Sequence, residues 1–317
     1  LETLTNWEEQ IEHFAKLFDI APEAIACDMH PDYLSTAYAE ERAEREGIPL
    51  LRVQHHHAHM AACMADNSLE GGCLGLIWDG TGYGSDGAIW GGELLAGGYE
   101  GFRRVGSVRP VPLAGGDAAI DEIWRVGAAM LSGAGCGTEP FSRETGYETV
   151  LRMLATGTNS PLSSGMGRLF DGVCAILGIR RRASYEGQGA VLLEAAADAL
   201  ETGEYPFSFY DAQGVLTLDW RDMIRALVSD GAGAGVRAAR FMNTLISAAA
   251  EQLRRVSKET GLGRVVLSGG VFQNMYIMNR LPERLRRMGL EVYTHSRVSC
   301  SDEGLSLGQL MILEANI

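Results

Sequence analysis

Apolar residues at Trp7, Ile11, Phe14 and Leu17 recur every three to four positions, with Glu8 and Glu9 at the start of the run. That spacing predicts an amphipathic helix. A short apolar run at 24–27 predicts a strand, followed by HPDY, a helix from about 33 that stops at Gly47, and a second strand at LLRV, a βαβ-like order. After Gln54 the pattern predicts a histidine-rich helix to about 66, then the strand CLGLIW at 73–78. The glycine-laden DGTGYGSDG follows, and strands at about 88–96 and 99–108 read as antiparallel. From GGD at 115–117 onward, helices are expected at about 118–131, 144–155, 167–177, 186–201 and 237–260. A strand VVLSGG, a helix, the strand EVYTH and a closing helix from about 305 complete a second α/β unit. The expected division is a first lobe over 1–117 and a second over 118–317, with the last helix packing back on the first lobe. No repeat or low-complexity linker separates the halves, so the lobes are expected to pack around a cleft.

Composition sharpens this picture in three ways. The 317 residues exceed a single small module. Forty glycines, about 13% of the chain against a typical ~7%, cluster at strand ends, where backbone can approach a ligand closely. Acidic residues exceed basic ones by 41 − 27 = 14, which disfavours binding to a phosphate backbone. Six cysteines are scattered without a CxxC pair, no apolar run approaches the ~18 residues of a membrane span, and the start lacks the regions of a signal peptide. The expectation is a reduced, cytoplasmic protein that crosses no membrane.

The sharpest chemical signal is QHHHAH. On a helix only His55 and His59, four apart, share a face, the spacing that lets two imidazoles meet one cation. His56 and His57 point elsewhere, and a polar helix start is the plain alternative. The HExxH protease pattern fails for want of a glutamate, so carboxylates must come from other segments. Asp79, at the end of CLGLIW, and Asp302, after HSRVSCS, both follow strands, and strand ends at one sheet edge converge on a ligand crevice. Either could instead cap a turn. The spacing of Asp79 and Asp86 does not fit an EF-hand. VVLSGG before VFQN sets two glycines where a strand turns into a helix, a geometry that offers backbone amides to a nucleotide or merely makes a tight turn. Asp171, on an otherwise apolar helix face, reads as solvated or as an acceptor for ribose hydroxyls. Glu186 in SYEGQGA reads as a helix-start carboxylate. A two-histidine, one-carboxylate oxygenase is disfavoured because the histidine pair is helical.

Taken in order, CDMHPDYLST, VQHHHAH, DGTGYGSDGAIWGGE, SSGMGRLFDGV, SYEGQGA, LSGGVFQN and SDEGLSLGQ resemble the C-terminal region of the HypF carbamoyltransferases of nickel-iron hydrogenase maturation. That region is similar to the tRNA threonylcarbamoyl-transferase subunit. The resemblance implies an α/β, two-lobed actin-like ATPase (ASKHA) fold with a central cleft. It implies that His55, His59 and Asp302, with Asp79, hold iron or zinc, and that Asp79, His55 and His59 serve catalysis. Asp79 with Gly80, Thr81 and Gly82 would lie at the metal and the substrate phosphates. Asp171 and Gly187 would face the ribose, and Gly269, Gly270 and Asn274 the adenine of ATP or carbamoyl adenylate, with magnesium. The implied acceptor is the C-terminal cysteine of HypE, whose thiocarbamate is later dehydrated to cyanide. Family members carry acylphosphatase-like, zinc-finger and adenylate-forming domains ahead of this region, and strands before LETLTN, so the chain reads as part of a larger or split protein. Transfer to tRNA is the runner-up, opposed by the net charge and by the DGTGYG and GRLFD variants. A non-catalytic nucleotide-binding partner module is a third reading, opposed by the retained metal ligands.

Overall fold

The computed structural model describes residues 2–317, with side chains from Thr5 onward. Helix α1 (Glu2–Leu17) precedes strand β1 (Ile25–Asp28), helix α2 (Leu34–Glu46) and strand β2 (Leu50–Val53). β1 and β2 pair in parallel with Asp28 opposite Val53, and α2 is their crossover. Helix α3 (His55–Asp66) follows after a single residue, Gln54, whose side chain caps it by accepting from the His57 N–H at 2.8 Å.

The second sheet opens with a meander of β3 (Cys73–Tyr83), β4 (Ile89–Gly98) and β5 (Gly101–Val108). Two short strands, β6 (Val111–Pro112) and β7 (Leu162–Ser163), pair with each other, and β7 pairs with the start of β4. Helices α4 (Ala118–Asp121), α5 (Trp124–Gly133), α6 (Tyr147–Thr156), α7 (Met166–Ile176) and α8 (Gln188–Ala196) lead to a hairpin of β8 (Ser208–Ala212) and β9 (Val215–Asp219). Then come α9 (Arg221–Ser229), the 27-residue α10 (Ala234–Thr260), β10 (Arg264–Ser268), α11 (Met275–Met278), α12 (Leu281–Arg287), β11 (Glu291–Thr294) and α13 (Leu305–Asn316). The sheet order is β11-β10-β3-β4-β5-β9-β8. β3, β10 and β11 run parallel to one another, while β3, β4 and β5 alternate.

The unbroken apolar run of β3 is explained by helices on both faces. Leu74, Leu76 and Trp78 point into the main core with Trp124 of α5 and Phe170 of α7. Cys73 and Ile77 point the other way, against Met60, Cys63 and Met64 of α3. Histidine helix and phosphate-loop candidate are thereby clamped onto one strand. α13 lies on α3 so closely that a Cβ on Gly308 would stand 1.9 Å from the Ala58 carbonyl oxygen, a fit open only to glycine.

β5, before position 117, and β9, after it, are hydrogen-bonded neighbours in one sheet. Other elements depart from the sequence expectations. The helix expected over 118–131 is two, interrupted where Glu122 leaves helical geometry at φ −92°, ψ 65°. The hairpin of β8 and β9 was not anticipated, although Gln213 (φ 57°) and Gly214 (φ 86°) form the two-residue positive-φ turn typical of hairpins. Among the described residues no helix is long and apolar enough to cross a membrane.

Candidate functional site

β3 does not end at Trp78 but continues through DGTGY to Tyr83 with a register shift against β4. Trp78 lies opposite Gly92 and Gly82 opposite Trp90, so four steps on β3 match two on β4. The intervening residues, Asp79 to Thr81, stand against Gly91 alone and form a bulge that turns Asp79 toward α3. Gly82 makes this approach sterically feasible: a Cβ there would lie 2.4 Å from His56 Cε1 and 3.0 Å from His55 Cδ2.

Four donors converge at this point, with ligand atoms of His55, His59, Asp79 and Asp302 all within 4.8 Å of one another. His59 Nε2 is 3.1 Å from Asp79 Oδ2 and 3.4 Å from Asp302 Oδ1. His55 Nε2 is 3.4 Å and 3.6 Å from the same two oxygens. Among the described residues, that buried Nε2 has no hydrogen-bond partner, an arrangement that costs free energy unless something else meets that nitrogen. Burial pushes the His55 and His59 imidazoles down, yet neighbouring carboxylates outweigh it and leave both raised, His55 well above its ordinary value. Burial likewise works against the Asp79 carboxylate, and the two imidazoles overcome it and hold it well below the usual range. The Asp302 carboxyl is lowered by the same two imidazoles beside it. Such a cluster is stabilised by positive charge at its centre. Two imidazole nitrogens and two carboxylate oxygens suit iron or zinc, so the residues fit a transition metal. The Asp302 side chain is 70% exposed, which leaves one side of the centre open.

Second partners fix these donors. Asp28 Oδ2 lies 2.9 Å from His55 Nδ1, while its Oδ1 accepts from the His30 N–H at 2.8 Å. Carboxylate pairing at the distal nitrogen leaves Nε2 free for a cation. On the other side the Ser268 hydroxyl is 3.5 Å from His59 Nδ1 and 2.8 Å from His295 Nε2. Burial lowers the His295 imidazole to about 4. His56 and His57 face away: His56 Nδ1 meets the Gln54 amide at 3.1 Å, and His57 Nε2 meets the Gly98 carbonyl at 2.7 Å. Desolvation lowers both, His56 strongly.

Of the nucleotide-side candidates, the glycine turns of β3 and β10 meet at Asp79. Gly270 N–H donates to Asp79 Oδ1 at 3.3 Å, and Gly80 N–H donates to it at 2.8 Å, so the SGG turn and the DGTG bulge share one carboxylate oxygen. Gly269 adopts φ 103°. Thr81 is exposed. Asn274 is buried, and its side chain caps α11 by accepting from the Ile277 N–H at 3.0 Å. Gly187, at φ 80°, immediately precedes α8, whose Gly189 lies against the Asp171 carboxyl. Asp171 is only 2% exposed, and burial pushes its carboxyl up to about 6 despite Arg168 beside it.

Residues 1–66 match the family model "HypF Kae1-like domain", and residues 75–309 match "Carbamoyltransferase, Kae1-like Domain, second subdomain". The chain belongs to the HypF carbamoyltransferase family. It is 38% identical to carbamoyltransferase HypF2 of Cupriavidus necator over 96% of its own length and 41% of that protein's. A HypF homolog of the same organism is also 38% identical, over 92% of this chain and 77% of that relative. The crystal structure of a full-length HypF in a phosphate- and nucleotide-bound form superposes with a TM-score of 0.90 at 36% identity, covering 97% of this chain and 49% of that one. The fold is thus the Kae1-like, ASKHA-type fold of HypF. Against the first of these relatives the chain spans about two-fifths of the length.

For this HypF-family chain, sequence reasoning named all four converging donors. The solvated reading of Asp171 is corrected, since its helix face turns inward against α8. Glu186 does not start α8, which begins at Gln188; it lies exposed, with Oε1 3.6 Å from Arg168 Nη2. Asp28, Ser268, His295 and Arg168 were missed. Asp28 lay within CDMHPDY, and its place opposite Val53, two residues before His55, is the register signal that would have found it.

Proposed function

We propose that this chain performs the carbamoyl-transfer half of HypF catalysis, passing a carbamoyl group from an adenylate in the cleft to the C-terminal cysteine of HypE. The observation that supports it most is the four-donor cluster at the β3 bulge, directly beside the backbone of the DGTG and SGG turns. Iron or zinc held there would supply Lewis-acid polarisation of the acyl group. The chain's own residues do the positioning: Asp28 and Ser268 orient the two imidazoles, and Asp79 Oδ1 holds the Gly80 and Gly270 amides in register. Attack by the HypE thiolate forms the sulfur–carbon bond and breaks the carbon–oxygen bond to phosphate. The electron pair departs with AMP, so no protein nucleophile is needed. The thiocarbamate product would be the precursor of a hydrogenase cyanide ligand.

In this reading the N-terminal HypF domains make the adenylate from carbamoyl phosphate and magnesium-ATP, and this portion uses it. We place the division between lobes in the 66–75 interval, between α3 and β3, and not at 117, with α13 counted on the side of α3 and of the β1–β2 sheet. The test is to incubate the chain with HypE, ATP and radiolabelled carbamoyl phosphate, with and without a separately expressed N-terminal HypF portion. Label on the HypE cysteine is expected only when that portion is present. No label in either case, with metal bound, would overturn the reading.

A further inference from the structure

α7 begins against the phosphate-loop candidate. A Cβ on Gly167 would lie 3.0 Å from Gly80 Cα, so the first turn of α7 rests on the bulge backbone. The next residue, Arg168, is 1% exposed and one of the largest fully buried side chains. Its Nη2 reaches to 3.3 Å from the point where a Cβ on Gly80 would sit. A buried guanidinium is normally matched by hydrogen bonds on most of its donors, because a buried charge without partners is costly. Arg168 is not matched. Nε and Nη1 are buried without a hydrogen-bond partner, although Nη1 passes 3.3 Å from Asp171 Oδ2. Among the described residues, Nη2 has only a long contact of 3.6 Å to Oε1 of the exposed Glu186.

A purely structural arginine facing Asp171 would be expected to make a bidentate pair, the arrangement that guanidinium and carboxylate geometry favours. Here the fork is offset from Asp171 and lies beside Gly80. We propose that Arg168 is an anion-binding residue of the cleft, whose guanidinium exchanges the long Glu186 contact for phosphate oxygens of a bound adenine nucleotide. This rests on the adenylate reading above. In carbamoyl transfer the breaking carbon–oxygen bond leaves its electron pair on phosphate, which gains negative charge as AMP departs. A guanidinium already buried beside that oxygen stabilises the new charge more than a solvated one would.

The test compares adenosine with AMP by calorimetry on the full chain. Wild type should bind AMP more tightly than adenosine. In Arg168→Gln that ratio should fall by about 10- to 100-fold with adenosine affinity unchanged, as for loss of a charge-assisted contact. Glu186→Gln, which removes the competing carboxylate, should raise the ratio about two- to threefold. A folded Arg168→Gln that keeps the wild-type ratio would overturn the proposal and leave the adenylate reading standing. Wild type that binds neither adenosine nor AMP would overturn both. Should Arg168→Gln not fold, Arg168→Lys decides, since it keeps the charge and loses the fork: a reduced ratio supports the proposal and an unchanged one refutes it.

Discussion

The two sides of the Gly80 turn are built on opposite electrostatic plans. At the β3 bulge, Asp28, Asp79 and Asp302 surround two imidazoles, and a buried His55 nitrogen is without a partner, so negative charge is in excess and a cation completes the set. At the start of α7, Arg168 has donors without acceptors and the Asp171 carboxyl is raised toward its neutral form, so an anion completes that set. Gly80 touches both, with its N–H on Asp79 and its α-carbon side toward Arg168 and Glu186. A ligand that is anionic at one end and basic at a carbonyl oxygen would satisfy both. The contrast shows that a site can be preformed through what it lacks.

The largest effect should come from the cation end. His55→Ala and His59→Ala should reduce bound transition metal to near background, whereas His57→Ala, whose ring meets Gly98, should keep the wild-type content. Elemental analysis of the purified variants reads this directly, and equal metal in all of them would erase the cation side of the comparison. A smaller loss, about 10- to 100-fold in metal affinity, is expected for Asp28→Asn and Ser268→Ala, which leave the donors in place and remove their orientation. Competition with a chelator measures it.

At the other end Asp171→Asn should do two opposite things. It should weaken AMP binding roughly tenfold, as for loss of a hydrogen bond to a charged group. It should also stabilise the apo chain near pH 7.5, by at most about 3 kcal/mol if the raised carboxyl has an ordinary value when unfolded. The sign follows from the direction of the shift. With a folded value of about 6 against 3.8, the folded state holds the proton more tightly, so wild type gains stability as pH falls through that interval. The variant lacks this gain, and the two melting curves should converge by about pH 4. Parallel curves at every pH would show that Asp171 is not held under strain. The smallest effect belongs to Asn274. Loss of its cap in Asn274→Ala should cost about 1 kcal/mol, and Asn274→Asp should restore it. If Asn274→Asp restores stability but AMP affinity stays low, the amide has a ligand role besides the cap.

What could be read from the sequence, and what could not, divides along the same line. The HxxxH pair is legible because helical periodicity alone sets both rings on one face, and Asp79 and Asp302 are legible because one closes the apolar run of β3 and the other follows β11 of the same sheet. Asp28 is not, since its role depends on which residue of β2 it pairs with across a 21-residue connection between Asp28 and Leu50. Arg168 is hidden for a different reason. A polar residue in GRLFDG reads as a solvated position on a helix, and only the glycine contact with the bulge brings that turn into the interior. The β3 bulge reads as a loop because its glycines obscure a strand that continues on the far side.

The seat of α13 on α3 gives the candidate metal centre a second meaning. His55 and Asp302 are 302 − 55 = 247 positions apart, and the Gly308 notch brings the end of the chain back over the helix that carries the histidines. An ion gripping both would act as a buckle, closing most of the polypeptide into one ring. By loop-closure scaling, a cross-link of that span reduces the freedom of the unfolded chain by about 5 kcal/mol, more than twice what a tight local loop would give up. Stripping the ion should therefore be felt first as fraying at the tail, with amide exchange quickening over residues 305–316 before the β-sheet loosens.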